Sequence, residues 1–455
     1  MKKRMYKIMA LAMTAAMVVP MAAQTTAFAA DDKEITYWNI AVESPDKDIV
    51  TAAVDKFNKE TESGYTVNSV AIQNDTYKEK LVIAMSSGEC PDMYSSWSGG
   101  PMYEYIDSGF AQPIDDLLDQ SDIKDKLLDA AIEQGSYNGH VYAIPYLNVS
   151  LAGIFYNKDM FKQYGLEEPK TLADLENICA TLKENGITPF ALANASKWTG
   201  SMYFMSLAAR YGGLEPFQNA VAGTGKFTDD CFIKAGEKIQ EWVKNGYFPD
   251  GVNSLSEDDG QAKQLMYQET AGMLLCGSWY AGTFQTDSEE FYQKIGWFPF
   301  PAIDDSDADP TIQIGTVGDQ FISFNCEGDK LAAAFECAAD HLSDEVEDMT
   351  YSTGKIAPVK DAGDHISDPV VKEIFDAAQE ASSIQLWYDQ YLPTSVASAH
   401  LDGLQEVFGL TKTPQEAQEE MQTAMDEYLS TKSDSGAADD TAEEATDDAA
   451  ADDAE

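Results

Sequence analysis

Basic residues are scarce in this sequence of 455 residues: 30 Lys and Arg stand against 78 Asp and Glu, for a net charge of −48. A surface of that sign repels phosphate backbones, which excludes nucleic acid as a partner. Cysteine is limited to Cys90, Cys179, Cys231, Cys276, Cys326 and Cys337, with no C-x-x-C pair among them. Thiolate metal spacing is therefore absent. Several of these cysteines sit in apolar runs such as "AGMLLCGSW" and read as buried free thiols. The four histidines (His140, His341, His365 and His400) lack metal spacing and read as surface or turn residues. G-x-S-x-G, H-E-x-x-H, Walker A and G-x-G-x-x-G motifs are all missing. The acidic run "DDSDADPTIQIG" places Asp305, Asp307 and Asp309 like a calcium loop, but Pro310 and Thr316 stand where that loop needs Gly and Glu. No metal and no cofactor is expected. Past the first 30 residues no apolar run is long enough to span a membrane.

Those first residues have their own logic. "MKKRMYK" is a positive n-region, "IMALAMTAAMVVPMAA" an apolar h-region, and Ala27-Phe28-Ala29 an A-x-A cleavage signal. Residues 1–29 read as a signal peptide, and the mature chain as exported. No Cys stands at the cleavage site, so a lipid anchor is not expected. The remaining length suits two domains rather than one core. At the other end, residues 433–455 carry ten acids, no base and no apolar face, which reads as a disordered acidic tail.

Between these ends the pattern alternates strand and helix. "EITYWNI" has β-branched and aromatic strand composition. The next segment sets Ile49, Ala53 and Phe57 on one helical stripe, with Val50 and Val54 beside it. "YTVNSVAI", then "TYKEKLVIAMSSGE" stopped by Gly88, then "PDMYSS" complete a βαβαβ unit, which implies parallel pairing. A second α/β unit starts near residue 153: the strand "LAGIFYN", a helix capped by Thr171 and stopped at Gly186, and the strand "ITPFALA". "AGMLLCGSW", "KIGWFPFPAI" and "TIQIGTVGDQFISFN" add strands, and Thr413-Pro414 opens a C-terminal amphipathic helix.

One pattern carries chemistry. Trp97 in "SSWSGG", Trp198 in "SKWTGS", Trp279 in "CGSWYAG" and Trp387-Tyr388 in "LWYDQ" follow strands or open helices among small and polar neighbours. Trp97 lies just past the carboxyl end of a parallel strand, where ligands bind in open α/β sheets. A core tryptophan sits among Leu, Ile and Val; these four do not. An indole face suits the C–H face of a pyranose ring. Asn39, Glu43, Asn148, Asp389 and Gln390 are then candidate partners for its hydroxyls, carboxylates making the stronger bonds. Several stacking rings imply an oligosaccharide rather than a single sugar. With 78 acidic residues, an exported glycoside hydrolase using two carboxylates is the alternative.

The segments "SSGECPDMYSSW", "GFAQPIDDLL", "YAIPY", "IFYNKDMFKQYGLEEPKTLADLENICATLKENG", "AGMLLCGSW" and "FPFPA" occur in one order across residues 34–430. Together they resemble the extracytoplasmic solute-binding proteins of carbohydrate ABC importers, the maltose-binding-protein-like group. The resemblance implies a two-lobed, periplasmic-binding-protein-like α/β fold, each lobe a mostly parallel sheet flanked by helices, with several hinge crossings. It implies a non-catalytic receptor that closes on a sugar and docks on the transmembrane subunits of a permease. By motif it places ring-stacking residues at Trp97, Trp279 and the aromatics of "LWYDQ". The lobes are expected at 30–150 with 318–356 and at 153–315 with 360–430, Gly315 and Gly318 serving the hinge. Unlike many members of the group, this sequence has no lipobox Cys.

Overall fold

The computed structural model describes residues 33–447, with side chains through Lys432. Residues 1–32, which include the segment read as a signal peptide, and residues 448–455 lie outside the described residues. Strand β1 (Glu34–Asn39) buries Ile35 and Tyr37 on one face by simple alternation. The helix Asp46–Glu60 follows, and its stripe Ile49, Val50, Ala53, Val54 and Phe57 is buried against the sheet. Strand β2 (Thr66–Ala71) leads into the helix Asn74–Ser87, which ends at Gly88 with φ of 75°. That left-handed position costs glycine little and stops the helix. Strand β3 (Met93–Ser96) completes the unit, and β1 pairs in parallel with both β2 and β3.

A small hairpin, β4 (Ser136–Tyr137) with β5 (His140–Val141), precedes β6 (Ala143–Tyr146). The second sheet begins with β7 (Ser150–Asn157) and continues through β8 (Thr188–Phe190), β9 (Ala271–Gly277), β10 (Ile295–Phe298) and β11 (Gln313–Thr316). The chain then returns to the first sheet as β12 (Gln320–Phe324) and ends its strands in the second with β13 (Ile384–Gln385). The sheet orders are β2-β1-β3-β12-β6 and β13-β11-β7-β9-β8, with β10 also beside β7.

Strand direction follows one rule. In the first sheet only β12 runs against the rest, and in the second only β7 does. Each of these strands has just crossed from the other lobe, over 317–319 or 147–149. All the other strands of these two sheets point their carboxyl ends at the gap between the lobes. A strand that enters from that gap must therefore run the opposite way. Both sheets are thus mostly parallel, each with one reversed strand at its crossing. A third crossing lies between the helix Asp344–Ser352, which packs on the first lobe's helix Asp46–Glu60, and the helix Pro369–Glu380, which packs on β10.

Gly315 and Gly318 sit at the second crossing for a different reason from the torsional freedom their sequence suggests. Neither has positive φ. A Cβ on Gly315 would lie 2.0 Å from the Ser150 carbonyl oxygen, and one on Gly318 would lie 2.9 Å from Pro145. The close approach of the neighbouring backbone requires glycine at 315, and the side chains of Pro145 and Phe321 crowd position 318.

Two readings of the sequence are corrected. His341 and His400 are core residues, not surface ones, at 3% and 1% exposure. His341 Nδ1 is 3.0 Å from the Cys337 carbonyl oxygen, and His400 Nε2 is 2.7 Å from Ser201 Oγ. Each ring therefore has one nitrogen bonded and the other, His341 Nε2 or His400 Nδ1, buried without a partner, a setting that disfavours the charged imidazolium. The last helix runs Pro414–Asp447. Once nucleated, a helix gains one bond per residue added, and the alanines and glutamates of this segment suit it. The cysteines are free, five of them buried and Cys90 half-buried. Among the described residues no helix is long and apolar enough to cross a membrane.

The two histidines make a testable signature. Burial holds the pKa of His341 down to about 4 and that of His400 to about 3. Unfolded imidazoles titrate near about 6.5. The unfolded state therefore binds the extra proton first, and the stability carried by neutral burial is full above pH 6.5. It is lost progressively as the pH falls toward 3–4. We expect the urea-denaturation difference between this chain and its His400→Gln variant to shrink steadily across that window. A difference independent of pH would contradict the neutral assignment.

Candidate functional site

Four tryptophans converge between the lobes, each reached shortly after the carboxyl end of a strand aimed at the gap. Trp97 follows β3, Trp198 opens the helix Trp198–Gly212 after β8, Trp279 follows β9 and Trp387 follows β13. All four line one cavity of about 190 Å³. Trp279 is the centre of the group, its ring centroid 6.1 Å from those of both Trp198 and Trp387. Gly277 makes this possible. A Cβ there would lie 1.9 Å from the Trp279 ring, which folds back over the strand end. On the opposite lobe, Trp97 has Tyr77 at its edge and the Lys78 ammonium over one face, 4.9 Å from the ring centre. One indole face is left to the cavity.

Polar groups complete the wall. Lys78 also reaches Asp389 across the gap at 3.3 Å. Asp46 is held by the buried Lys355 at 2.6 Å. Burial pushes the Asp319 carboxyl up to about 6, against the pull of Lys355. Gln320 accepts a hydrogen bond from the Tyr146 hydroxyl. Asn74 and the thioether residues Met202 and Met205 finish the lining. Two lining atoms, the Trp198 Nε1–H donor and the Gln390 Oε1 acceptor, are buried without a partner. Native proteins rarely leave such groups unpaired, and here both belong to the wall of a cavity.

A second cavity of about 170 Å³ adjoins the first and shares Ile40, Asp46 and Trp279 with it. Its other walls are polar: the loop 41–45 from the first lobe, and Glu257, Asp258 and Lys263 from the second. Burial pushes Glu257 up to about 7, and its carboxylate accepts the Tyr280 hydroxyl. The lobes touch around both cavities. The Asp75 N–H donates to the Asp258 carboxylate at 3.1 Å, and Lys263 pairs with Glu43 at 3.2 Å. Thr394 gives both its N–H and its hydroxyl to the Glu104 carboxylate. This is a closed arrangement of the two lobes.

Among the residues nominated from the sequence, Trp97, Trp198, Trp279, Trp387 and Asp389 come together in the first cavity, while Glu43 lies in the second. Three do not belong to either. Asn39 is buried and staples the first loop, accepting from the Ala41 N–H and donating to Ser69 Oγ. Its partners are so close that the side chain never reaches the gap. Tyr388 turns away from its neighbour Trp387, because the chain passes there from the cap residue Trp387 into the short helix Tyr388–Tyr391. It packs in the core, its ring 4.3 Å from that of Phe217. Asn148 belongs to the hinge. Its carbonyl oxygen accepts from Asp319 N–H, its amide oxygen accepts from Ile356 N–H and its amide nitrogen donates to Ser278 Oγ. One side chain and its own backbone therefore tie all three crossings.

Sequence reasoning missed Asp46, Asn74, Lys78, Asp319, Met202 and Met205. A signal existed for four of them. Asp46 and Asn74 open the helices that follow strands β1 and β2, Lys78 lies one turn after Asn74, and Met202 lies one turn after Trp198 on the same helical face.

A family model of bacterial extracellular solute-binding proteins matches residues 41–339. An uncharacterized ABC transporter extracellular-binding protein of Pyrococcus horikoshii is 32% identical over 228 residues, 50% of each chain. The multiple sugar-binding protein of Streptococcus mutans is 30% identical over 178 residues, 36% of this chain and 39% of the other. The chain spans about half the length of the curated relatives it matches. A solved structure from work on xylan utilization by the thermophilic bacterium Caldanaerobius polysaccharolyticus matches at a TM-score of 0.78 and 29% identity, covering 86% of this chain and 99% of that one. The match of the family model, together with the two-lobed fold, places this chain among the bacterial extracellular solute-binding proteins.

Proposed function

We propose that this chain is an exported, non-catalytic receptor of an ABC sugar importer, which binds an oligosaccharide between its lobes and delivers it to the transmembrane subunits of a permease. The observation that carries this reading is the group of four tryptophans, drawn from both lobes into one cavity whose wall also holds an unpaired donor and an unpaired acceptor. Flat apolar rings hold the C–H faces of pyranoses, and the polar rim takes their hydroxyls. Because both lobes contribute, ligand contacts are complete only when the lobes are closed, so binding shifts the population toward closure. A relative named for multiple sugars and a structural neighbour studied in xylan use support a saccharide ligand.

The test is a thermal-shift screen of the mature chain against linear and branched oligosaccharides. A ligand that binds only the folded state raises the melting temperature by mass action, by about 2.7 kcal/mol of stability at 100 times Kd. We expect at least one saccharide to raise it, and no new reducing ends to appear on long incubation. A blank across neutral, acidic and amino-sugar panels would remove the reading. Release of reducing ends would replace it with a hydrolase.

A further inference from the structure

The two cavities and the surface beyond them form a passage with unlike ends. We propose that the cleft reads one end of a saccharide chain: the terminal unit sits in the tryptophan cavity, and the rest of the chain runs outward past Trp279. This rests on the sugar-receptor reading above and adds a polarity to it.

The inner end is walled by backbone. Gly99 and Gly100, from the first lobe, lie directly against residues 390–392 of the second. A Cβ on Gly99 would be 2.4 Å from the Gln390 carbonyl oxygen, and one on Gly100 would be 2.3 Å from that of Leu392. Two backbones at this distance leave no passage for a sugar ring. The Lys78–Asp389 pair seals the same end, and behind the wall Thr394 is bonded to Glu104. The run "SWSGG" therefore serves twice: its tryptophan offers a stacking face, and its two glycines let the opposing lobe close against the chain behind it.

The outer end is open. Beyond Trp279 the second cavity leads past the Glu43–Lys263 pair to a surface groove bordered by exposed Lys47, Asp259, Gln264 and Thr286. The lining changes along the way. Both ends carry carboxylates and a lysine, but the thioethers and three of the four indoles are found only at the closed end. Two of the buried atoms without a partner belong to the wall of the inner cavity. Trp198 Nε1–H donates and Gln390 Oε1 accepts, the complement of a hydroxyl, which both accepts and donates. A terminal unit carries a free hydroxyl where an internal unit carries a glycosidic oxygen, which cannot donate. Internal units keep other hydroxyls that donate, so it is the backbone wall that selects a chain end, and the open donor and acceptor mark where one of its hydroxyls would bind.

The test uses the mature chain and three forms of each saccharide. Xylo-, malto-, chito- and galacto-oligosaccharides of one to six units are titrated calorimetrically free, with 2-aminobenzamide on the reducing end, and with the terminal non-reducing 4-hydroxyl methylated. For the series that binds, we expect one modified end to leave Kd within about threefold and the other to weaken it at least 100-fold. Affinity should stop rising after the second or third unit. Equal tolerance of both modifications would show a through-groove and overturn the inference alone. Loss of binding with either modification would show a box of fixed length and also overturn it. If no unmodified saccharide binds, the receptor reading itself falls and the inference with it.

Discussion

Trp279→Ala lowers saccharide affinity by roughly 30- to 1,000-fold while leaving the unliganded melting temperature nearly unchanged. The magnitude follows from position. Trp279 is the one tryptophan common to both cavities, so in the proposed binding mode a chain of two units would meet it twice. Truncating a central aromatic anchor at a binding surface costs about 2–4 kcal/mol, and each 1.4 kcal/mol is tenfold in affinity. Its ring also positions its neighbours, because Trp198 and Trp387 both lean on it at 6.1 Å. Folding depends on it less, since the ring is only partly buried and Gly277 beneath it already lacks a side chain. Trp97→Ala should cost less, because Lys78 already covers one of its faces and the loss falls on a single cavity. Calorimetric titration of both variants with the best saccharide of the thermal-shift screen measures the order. An unchanged Kd for Trp279→Ala would detach the ligand from the tryptophan cavity. Trp279→Phe should recover part of the loss, which separates stacking from simple bulk.

The difference between the two tryptophans also shows what the sequence contained. Position after a strand is a property of local pattern, so the four tryptophans could be nominated from short windows. The βαβαβ unit was legible for the same reason: Ile49, Ala53 and Phe57 recur at helical spacing, and Gly88 marks a stop. Side-chain direction within a window was not legible. Tyr388 stands next to Trp387 with similar chemistry, yet it faces Phe217 across the core. Nor could the sequence give partners far away along the chain. Asn148 meets Ile356, 208 residues on, and Lys78 meets Asp389, 311 residues on. The same limit explains Gly315 and Gly318. Glycine in a candidate hinge suggests torsional freedom, while the need here is room for neighbouring backbone and side chains. Strand direction fell between these cases. Parallel units could be expected from βαβ spacing, but the reversal of β7 and β12 follows only from knowing which segments cross between lobes.

Asn148→Ala tests the hinge assignment against the ligand role that the sequence suggested, because the two predict opposite readouts. As a ligand contact, the asparagine would be dispensable for folding, and its loss would appear in Kd. As the tie between crossings, it is 1% exposed, and its amide satisfies the Ile356 N–H at 2.7 Å and Ser278 Oγ at 3.1 Å. Ser278 keeps other partners, the Leu151 N–H and the Val149 carbonyl, but the Ile356 N–H would be left buried and unpaired. An orphaned buried donor costs about 1–3 kcal/mol, and the emptied volume adds to it. We therefore expect the unliganded melting temperature to fall by roughly 5–10 °C, using about 2–4 °C per kcal/mol for a large domain. Affinity should weaken by less than about tenfold, since no cavity-lining atom is removed. The loosened crossing must also be ordered when the lobes close, so the on-rate should fall more than the off-rate rises. Stopped-flow tryptophan fluorescence can separate these, because Trp279 and Trp97 approach across the gap on closure. A large loss of affinity with an unchanged melting temperature would return Asn148 to the cleft. The expected pattern would instead fix it as the residue through which closure of one lobe on the other is transmitted.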